Sequence, residues 1–129
     1  MASVQGITVQ ELHRRLNSDQ EVMILDVRNE TDYQDWKIVG KRLRSVNIPY
    51  YQFLEEDESL CADLPKDREI VVVCAKSGSS KFVAEQLLEK GYKTVYLEGG
   101  MLAWSQFYHP TIVYMDEKLT LIQVNRFAK

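Results

Sequence analysis

The sequence predicts an α/β domain in which a parallel β-sheet lies between two layers of helices. Two nearly continuous apolar runs, at residues 22–27 and 70–73, are typical of strands buried on both faces of a parallel sheet. Stretches with helical spacing of apolar residues alternate with the predicted strands, which favours right-handed crossovers between parallel strands. Ligand sites of such sheets lie at the carboxyl ends of the strands, and this directs attention to the segment after residue 73.

The first half of the chain begins with a recognisable helix start. Thr8 is followed three residues later by Glu11, which is a capping-box pattern and predicts a helix over about residues 9–17. The other elements predicted in this half are a strand at 22–27, a helix at 30–36, a strand at 45–48, a helical stretch at 50–56 and a turn at 64–67.

The second half repeats the alternation of strand and helix. Its predicted elements are a strand at 70–73, a helix closed by Gly91, a strand at 94–97, a turn at Gly99-Gly100 and a helix at 101–107. Beyond Pro110 the pattern changes to two strands, 111–115 and 119–124, joined by a polar turn at 116–118. We therefore expect one domain over residues 1–108, and a C-terminal hairpin, linker or start of a following domain over 109–129.

Composition excludes several classes of function. The chain has 129 residues, of which 45% are hydrophobic and 27% charged, and its net charge is −3. It lacks the basic excess that nucleic-acid binding requires, and we read the cluster of Lys41, Arg42 and Arg44 as a solvated loop. It also lacks an apolar run of the ~20 residues that span a membrane.

The two cysteines and two histidines are too few and too scattered for a metal site. We therefore expect no metal and no cofactor. Without a secretory signal pattern at the amino terminus, a reducing cytoplasm with both thiols free is the expected compartment.

Cys74 is the candidate nucleophile. It ends a buried strand and begins a Gly/Ser-rich turn that leads into a helix. The backbone N–H groups of such a turn, the positive end of the helix dipole and nearby Lys76 all stabilise an anion, and this anion could be the thiolate itself. The alternative is that Cys74 only completes a core strand, but this leaves the composition of the loop unexplained.

Three segments in register resemble the rhodanese family: residues 71–81 its active-site loop, 25–33 its early strand and helix, and 96–104 its closing motif. The resemblance spans about residues 7–108 and implies a five-stranded parallel sheet and a sulfurtransferase. It implies that Cys74 carries sulfur as a persulfide from a small-molecule donor to a thiol or cyanide acceptor. The residues that it implies for substrate and persulfide binding are Ala75, Lys76, Ser77, Gly78, Ser79 and Ser80, with Asp26 and Arg28 in support.

The sequence departs from the family pattern in two places. Residues 35–44 replace the usual Gly-His-Ile turn, and Gly78 lies four residues after the cysteine where many members have glycine at three. Related phosphatases and arsenate reductases carry an arginine at the position of Ser80, where it grips the oxyanion. The absence of that arginine argues against a phosphatase.

Several other residues have structural interpretations. Asp26 and Arg28 could equally form an ion pair that orders the loop, and the aromatic residues Tyr33, Trp36 and Trp104 are expected to pack in the core or line a pocket. Cys61 could resolve a persulfide, but we favour an incidental free thiol. No role is expected for His109.

The leading hypothesis is an enzyme, and two other classes compete with it. The alternative is a sulfur-relay or interaction module that serves a partner protein or a fused persulfide-oxidising domain. Residues 119–129 support it, because they resemble the opening strand of a metallo-β-lactamase-fold domain. A catalytically silent module is disfavoured because the loop retains its cysteine. Thiosulfate, glutathione persulfide and protein persulfides all fit as donors.

Overall fold

The computed structural model describes residues 3–55, 57–115 and 121–127, with side chains only within residues 3–107. The strands are, in chain order, β1 (Gln5–Ile7), β2 (Val22–Asp26), β3 (Leu43–Asn47), β4 (Glu69–Val73), β5 (Lys93–Leu97), β6 (Tyr108–Met115) and β7 (Leu121–Phe127). The helices are α1 (Val9–Leu16), α2 (Glu30–Asp35), α3 (Gly78–Glu89) and α4 (Gly100–Phe107), with 3-10 helices at Tyr50–Glu55 and Glu58–Cys61.

Five strands form one sheet in the order β1-β5-β4-β2-β3, and all neighbouring pairs are parallel. The register sets Asp26, the last residue of β2, beside Val73 of β4 and Asn47 of β3. The loops that follow these three strands therefore leave the sheet at the same edge, which is where parallel sheets hold their ligand sites.

The core occupies both faces of the sheet, because β4 is buried from Ile70 to Val73. Val72 packs on one face with Leu87 of α3. Val73 packs on the other face with Leu12 of α1 and Trp104 of α4. Each such aliphatic side chain stabilises the fold by roughly 1.5–3 kcal/mol. The predicted α/β fold, with a five-stranded parallel sheet between helices, is confirmed.

The predicted start of α1 is confirmed by its cap. Thr8 Oγ1 accepts a hydrogen bond from the backbone N–H of Glu11 at 3.1 Å. The Glu11 carboxylate itself binds the guanidinium groups of Arg14 and Arg15, which lower its pKa to about 2. Local sequence thus fixes both where this helix begins and how its exposed face is paired.

Two features, β1 and Trp36, differ from the expectations drawn element by element. β1 has only three residues and no apolar run of its own, so only the family resemblance implied a fifth strand. The helical stretch predicted at 50–56 is present as a 3-10 helix over residues 50–55. Trp36, expected to pack, is 41% exposed, because α2 ends at Asp35 and the backbone of Trp36 is extended; Tyr33 and Trp104 are buried as expected.

Beyond the parallel sheet, β6 and β7 pair antiparallel, in agreement with the predicted hairpin. The polar turn predicted at 116–118 and the side chain of His109 lie outside the described part. The division of the chain near residue 108 stays a prediction.

Candidate active site

Cys74 lies at the carboxyl end of β4, with two strands of the parallel sheet on either side of β4. Cys74 is 5% exposed. Three residues separate Cys74 from Gly78, the first residue of α3. Ala75, Lys76 and Gly78 are exposed, whereas Ser80 is buried. Cys74 is thus buried beneath a loop whose first residues, 75 and 76, are exposed to solvent.

The carbonyl groups at the start of this loop are held by α4. The backbone N–H groups of Met101 and Leu102 donate to the oxygens of Cys74 and Ala75 at 2.8 and 2.9 Å. Gly100 makes this approach possible: it has φ +58°, and a Cβ atom there would lie 2.4 Å from the Cys74 oxygen. Only glycine tolerates both the conformation and the contact.

The backbone N–H groups of residues 75–80 are the candidate anion cradle. Within the described part of the chain, none of these six groups donates to a protein acceptor. Those of Gly78, Ser79 and Ser80 belong to the first turn of α3, and the side chain of its N-cap residue, Ser77, forms no capping hydrogen bond. Unpaired donors at a helix N-terminus favour an anion.

Ser80 touches the candidate nucleophile directly. The Cys74 thiol donates to Ser80 Oγ at 3.2 Å, and Ser80 Oγ donates to the Ser77 carbonyl at 3.0 Å. Sequence reasoning included Ser80 in the loop but missed this contact. The available signal was its place in the first turn of α3, which brings residue 80 back over the strand end.

Asp26 and Arg28 form a buried ion pair at the same edge of the sheet. Arg28 Nη2 lies 2.8 Å from Asp26 Oδ2, Arg28 Nε bonds the same carboxylate, and both side chains are less than a tenth exposed. Arg28 Nη2 also donates to the Trp36 carbonyl at 2.6 Å. These contacts favour the structural interpretation, in which the pair fixes the loop after β2.

Asn47 extends this network and was not predicted. Its side-chain amide donates to the carbonyl oxygens of Asp26 and Arg28, at 3.0 and 2.9 Å. Asn47 reaches this network because the strand register places it beside Asp26. The sequence pattern of a single strand does not reveal that register.

Cys61 lies away from this loop. It is buried, and the hydroxyl of Tyr92, directly before β5, donates to its carbonyl at 2.9 Å. Burial raises the pKa of the Cys61 thiol. Cys74 precedes α3 and Tyr92 follows it, so a helix of twelve residues, ~18 Å long, separates the two neighbourhoods. This favours a structural thiol over a resolving one.

Lys76 and the basic side chains of residues 41–44 lie on the surface. Lys76 forms no ion pair within the described residues, so its charge is available beside the loop. Lys41, Arg42 and Arg44 are exposed, as expected, but Arg44 lies within β3 and not in a loop.

Comparison with known proteins assigns the family. The family model described as Rhodanese-like domain matches residues 8–107. The chain belongs to the rhodanese-like domain family. The match takes in the strand ends, the Cys74 loop and α4, which are the parts of the fold that build the site.

Individual rhodanese-like proteins agree. The chain is 32% identical over 101 residues to YtwF of Bacillus subtilis, named as a sulfurtransferase, covering 78% of this chain and 90% of that one. It is 32% identical over 93 residues to the thiosulfate sulfurtransferase GlpE of Coxiella burnetii, covering 71% and 78%. A rhodanese-like domain protein from Staphylococcus aureus superposes with a TM-score of 0.66 at 29% identity, covering 79% and 92%.

No helix in the described part of this rhodanese-like chain is long and apolar enough to cross a membrane. The same part contains no group of three or more His, Cys, Asp or Glu side chains placed to hold a metal ion.

Proposed function

We propose that this protein is a sulfurtransferase in which Cys74 accepts sulfur from an anionic donor and passes it to a thiol or cyanide. The observation that carries the proposal is the place of the thiol: it ends the central strand of the sheet beside six backbone N–H groups that have no acceptor in the described chain. Backbone donors fixed in this way stabilise negative charge without reorganising during the reaction.

The first half of the reaction loads the cysteine. The Cys74 thiolate attacks the outer sulfur of thiosulfate, forming a bond between Sγ and that sulfur. The sulfur–sulfur bond of thiosulfate breaks, and its electron pair leaves with sulfite. The product is a persulfide anion on Cys74, whose charge lies on the outer sulfur, and the amide groups of residues 75–80 are its proposed ligands.

The second half regenerates the enzyme. An acceptor thiolate or cyanide attacks the outer sulfur, the bond to Sγ breaks, and the electron pair returns to Sγ as thiolate. The acceptor becomes a persulfide or thiocyanate, so neither oxidant nor metal is needed. Lys76, exposed and unpaired in the described part, attracts the anionic donor and acceptor.

Thiosulfate is the donor to test first, because one relative carries that substrate in its name. A phosphate ester is disfavoured, because Ser80 takes the place of the arginine that would clamp its oxyanion. A reducing cytoplasm suits this chemistry, and both cysteines are unpaired.

A protein acceptor is the second candidate, and exposed apolar side chains favour it. Tyr51, Leu54 and Leu102 each expose half or more of their surface. Leu102 bonds the Cys74 loop through its backbone, and Tyr51 follows Tyr50, whose backbone N–H donates to the carbonyl of Val27, the residue after β2. Apolar surface beside a reactive thiol fits a protein partner better than a hydrophilic anion.

Intact mass spectrometry tests the mechanism. After incubation with thiosulfate we expect one added sulfur atom, located on Cys74, and this adduct should disappear on addition of cyanide. Cys74→Ser should lose both the adduct and the turnover of thiosulfate with cyanide, whereas Cys61→Ala should keep both. Undiminished turnover in Cys74→Ser would rule out the mechanism. Rapid transfer to a candidate protein but not to small thiols would favour the relay role.

A further inference from the structure

The hydroxyl group of Ser80 has one hydrogen and two possible acceptors. Ser80 is wholly buried, so water does not compete for this hydrogen. With Cys74 as a thiol, the sulfur donates to Ser80 Oγ at 3.2 Å and the Ser80 hydrogen points to the Ser77 carbonyl at 3.0 Å. Ionised Sγ has no hydrogen to donate and becomes a strong acceptor within reach of the same hydroxyl.

The Ser77 carbonyl can release the hydroxyl at little cost. It also accepts the backbone N–H of Lys81 at 2.9 Å, which is the first hydrogen bond of α3. Rotation of the Ser80 hydroxyl toward sulfur therefore leaves no buried carbonyl without a donor, and such unpaired groups are what make polar rearrangements costly.

We propose that Ser80 is a catalytic residue whose hydroxyl turns from the Ser77 carbonyl to Cys74 Sγ whenever Sγ carries negative charge. This proposal rests on the proposed function and assigns the two sulfur atoms to different hydrogen-bond donors. Sγ is charged as the attacking thiolate and again as the leaving thiolate, so Ser80 acts in both half-reactions. In the persulfide the charge lies on the outer sulfur, which the backbone donors hold, and the hydroxyl returns to Ser77.

Alkylation of Cys74 tests the proposal without any sulfur donor. The chain has two cysteines, so in a Cys61→Ala background iodoacetamide reports on Cys74 alone. Because only the thiolate reacts, its rate rises with pH through a midpoint. Ser80→Ala should raise that midpoint by about one pH unit and slow alkylation ~10-fold below it. The plateau at high pH should be equal or higher, because a thiolate without a donor is more nucleophilic.

Thr94→Val is the matched control. Thr94 is buried and its hydroxyl donates to the Ala84 carbonyl of α3 at 2.6 Å, so this variant loses a comparable bond without touching Cys74. It should keep the wild-type midpoint. Ser80→Thr retains a hydroxyl and should also keep it. An unshifted midpoint in Ser80→Ala, or the same shift in Thr94→Val, would overturn the role of the hydroxyl.

The two proposals fail separately. If thiosulfate leaves no sulfur on Cys74 but Ser80→Ala raises the alkylation midpoint, the proposed donor is wrong and Ser80 still stabilises the thiolate. If Cys74 does load, discharge of its persulfide to cyanide should be slower in Ser80→Ala across the pH range, because Sγ is then the leaving group. Equal discharge rates would contradict a role in the second half-reaction.

Discussion

The two ends of the parallel sheet contain similar groups, but these groups lie in different environments. Each end has a buried cysteine, an ion pair and a glycine with positive φ. At the carboxyl end, Cys74 bonds the Ser80 hydroxyl and precedes a loop whose amides have no acceptor within the described residues; at the amino end, burial raises the pKa of the Cys61 thiol. The two cysteines are equally buried, at 5% exposure each, so burial does not distinguish them. The polar groups around each thiol do.

Breaking the ion pairs should show the largest difference in stability between the two ends. Arg28→Met leaves the Asp26 carboxylate buried without its partner, and we expect the free energy of unfolding to fall by about 3–5 kcal/mol. Arg68 pairs with Glu21 at 2.7 Å beside the amino ends of β4 and β2, where both side chains are about half exposed or more, so Arg68→Met should cost ~0–1 kcal/mol. Urea denaturation measures the free energy of unfolding of both variants. Equal losses in the two variants would contradict the expected difference between the ends of the sheet.

The glycines should show the next largest difference. Gly100→Ala combines a left-handed backbone with a clash against the Cys74 carbonyl, and we expect a loss of roughly 2–4 kcal/mol together with slower persulfide formation. Gly91 has φ +95°, but its added Cβ would meet nothing closer than 4.0 Å, so Gly91→Ala should cost only about 1 kcal/mol. Thermal unfolding measures the loss of stability in each glycine variant, and incubation with thiosulfate measures how fast each forms the persulfide. Full loading by Gly100→Ala would show that α4 does not position the loop.

The smallest expected effect is the pH dependence contributed by Cys61. The unfolded thiol releases its proton near pH ~8.5, whereas the folded thiol holds it to higher pH because burial raises its pKa. The folded state then binds more protons, so stability falls as pH rises above the unfolded value, by at most ~1.4 kcal/mol per unit.

Chemical denaturation between pH 8 and 9.5 measures this slope, below the range in which Tyr92, whose pKa burial also raises, releases its proton. A Cys74→Ser background leaves Cys61 as the only thiol. Adding Cys61→Ala should flatten the curve, and an unchanged slope would show that Cys61 does not contribute.

Much of the fold is readable from sequence because its signals are local. The buried strands β2 and β4 are contiguous apolar runs, and the capping pattern of Thr8 and Glu11 predicts the start of α1. β1 escapes detection because three residues are too few for a pattern, and its place depends on pairing with β5. Trp36 has helical spacing from the preceding residues, but α2 ends one residue before it.

The candidate site is readable only in outline for the same reason. A cysteine between a strand and a Gly/Ser-rich turn can be recognised in one segment. The contact of Gly100 with the Cys74 carbonyl and the bonds from Asn47 to the loop after β2 join distant segments. Ser80 lies nearby in sequence, but its choice between Cys74 and Ser77 depends on distances that only the folded loop defines.

The hold of α4 on the Cys74 loop has a consequence during protein synthesis. Among the described residues, the carbonyl groups of Cys74 and Ala75 accept only from the backbone N–H groups of Met101 and Leu102, which come after the last strand of the parallel sheet. A nascent chain therefore exposes its cysteine well before it has the segment that shapes the surrounding loop. If Cys74 carries sulfur as proposed, the loop around it takes its final shape only after residues 101 and 102 have been synthesised and have packed against it.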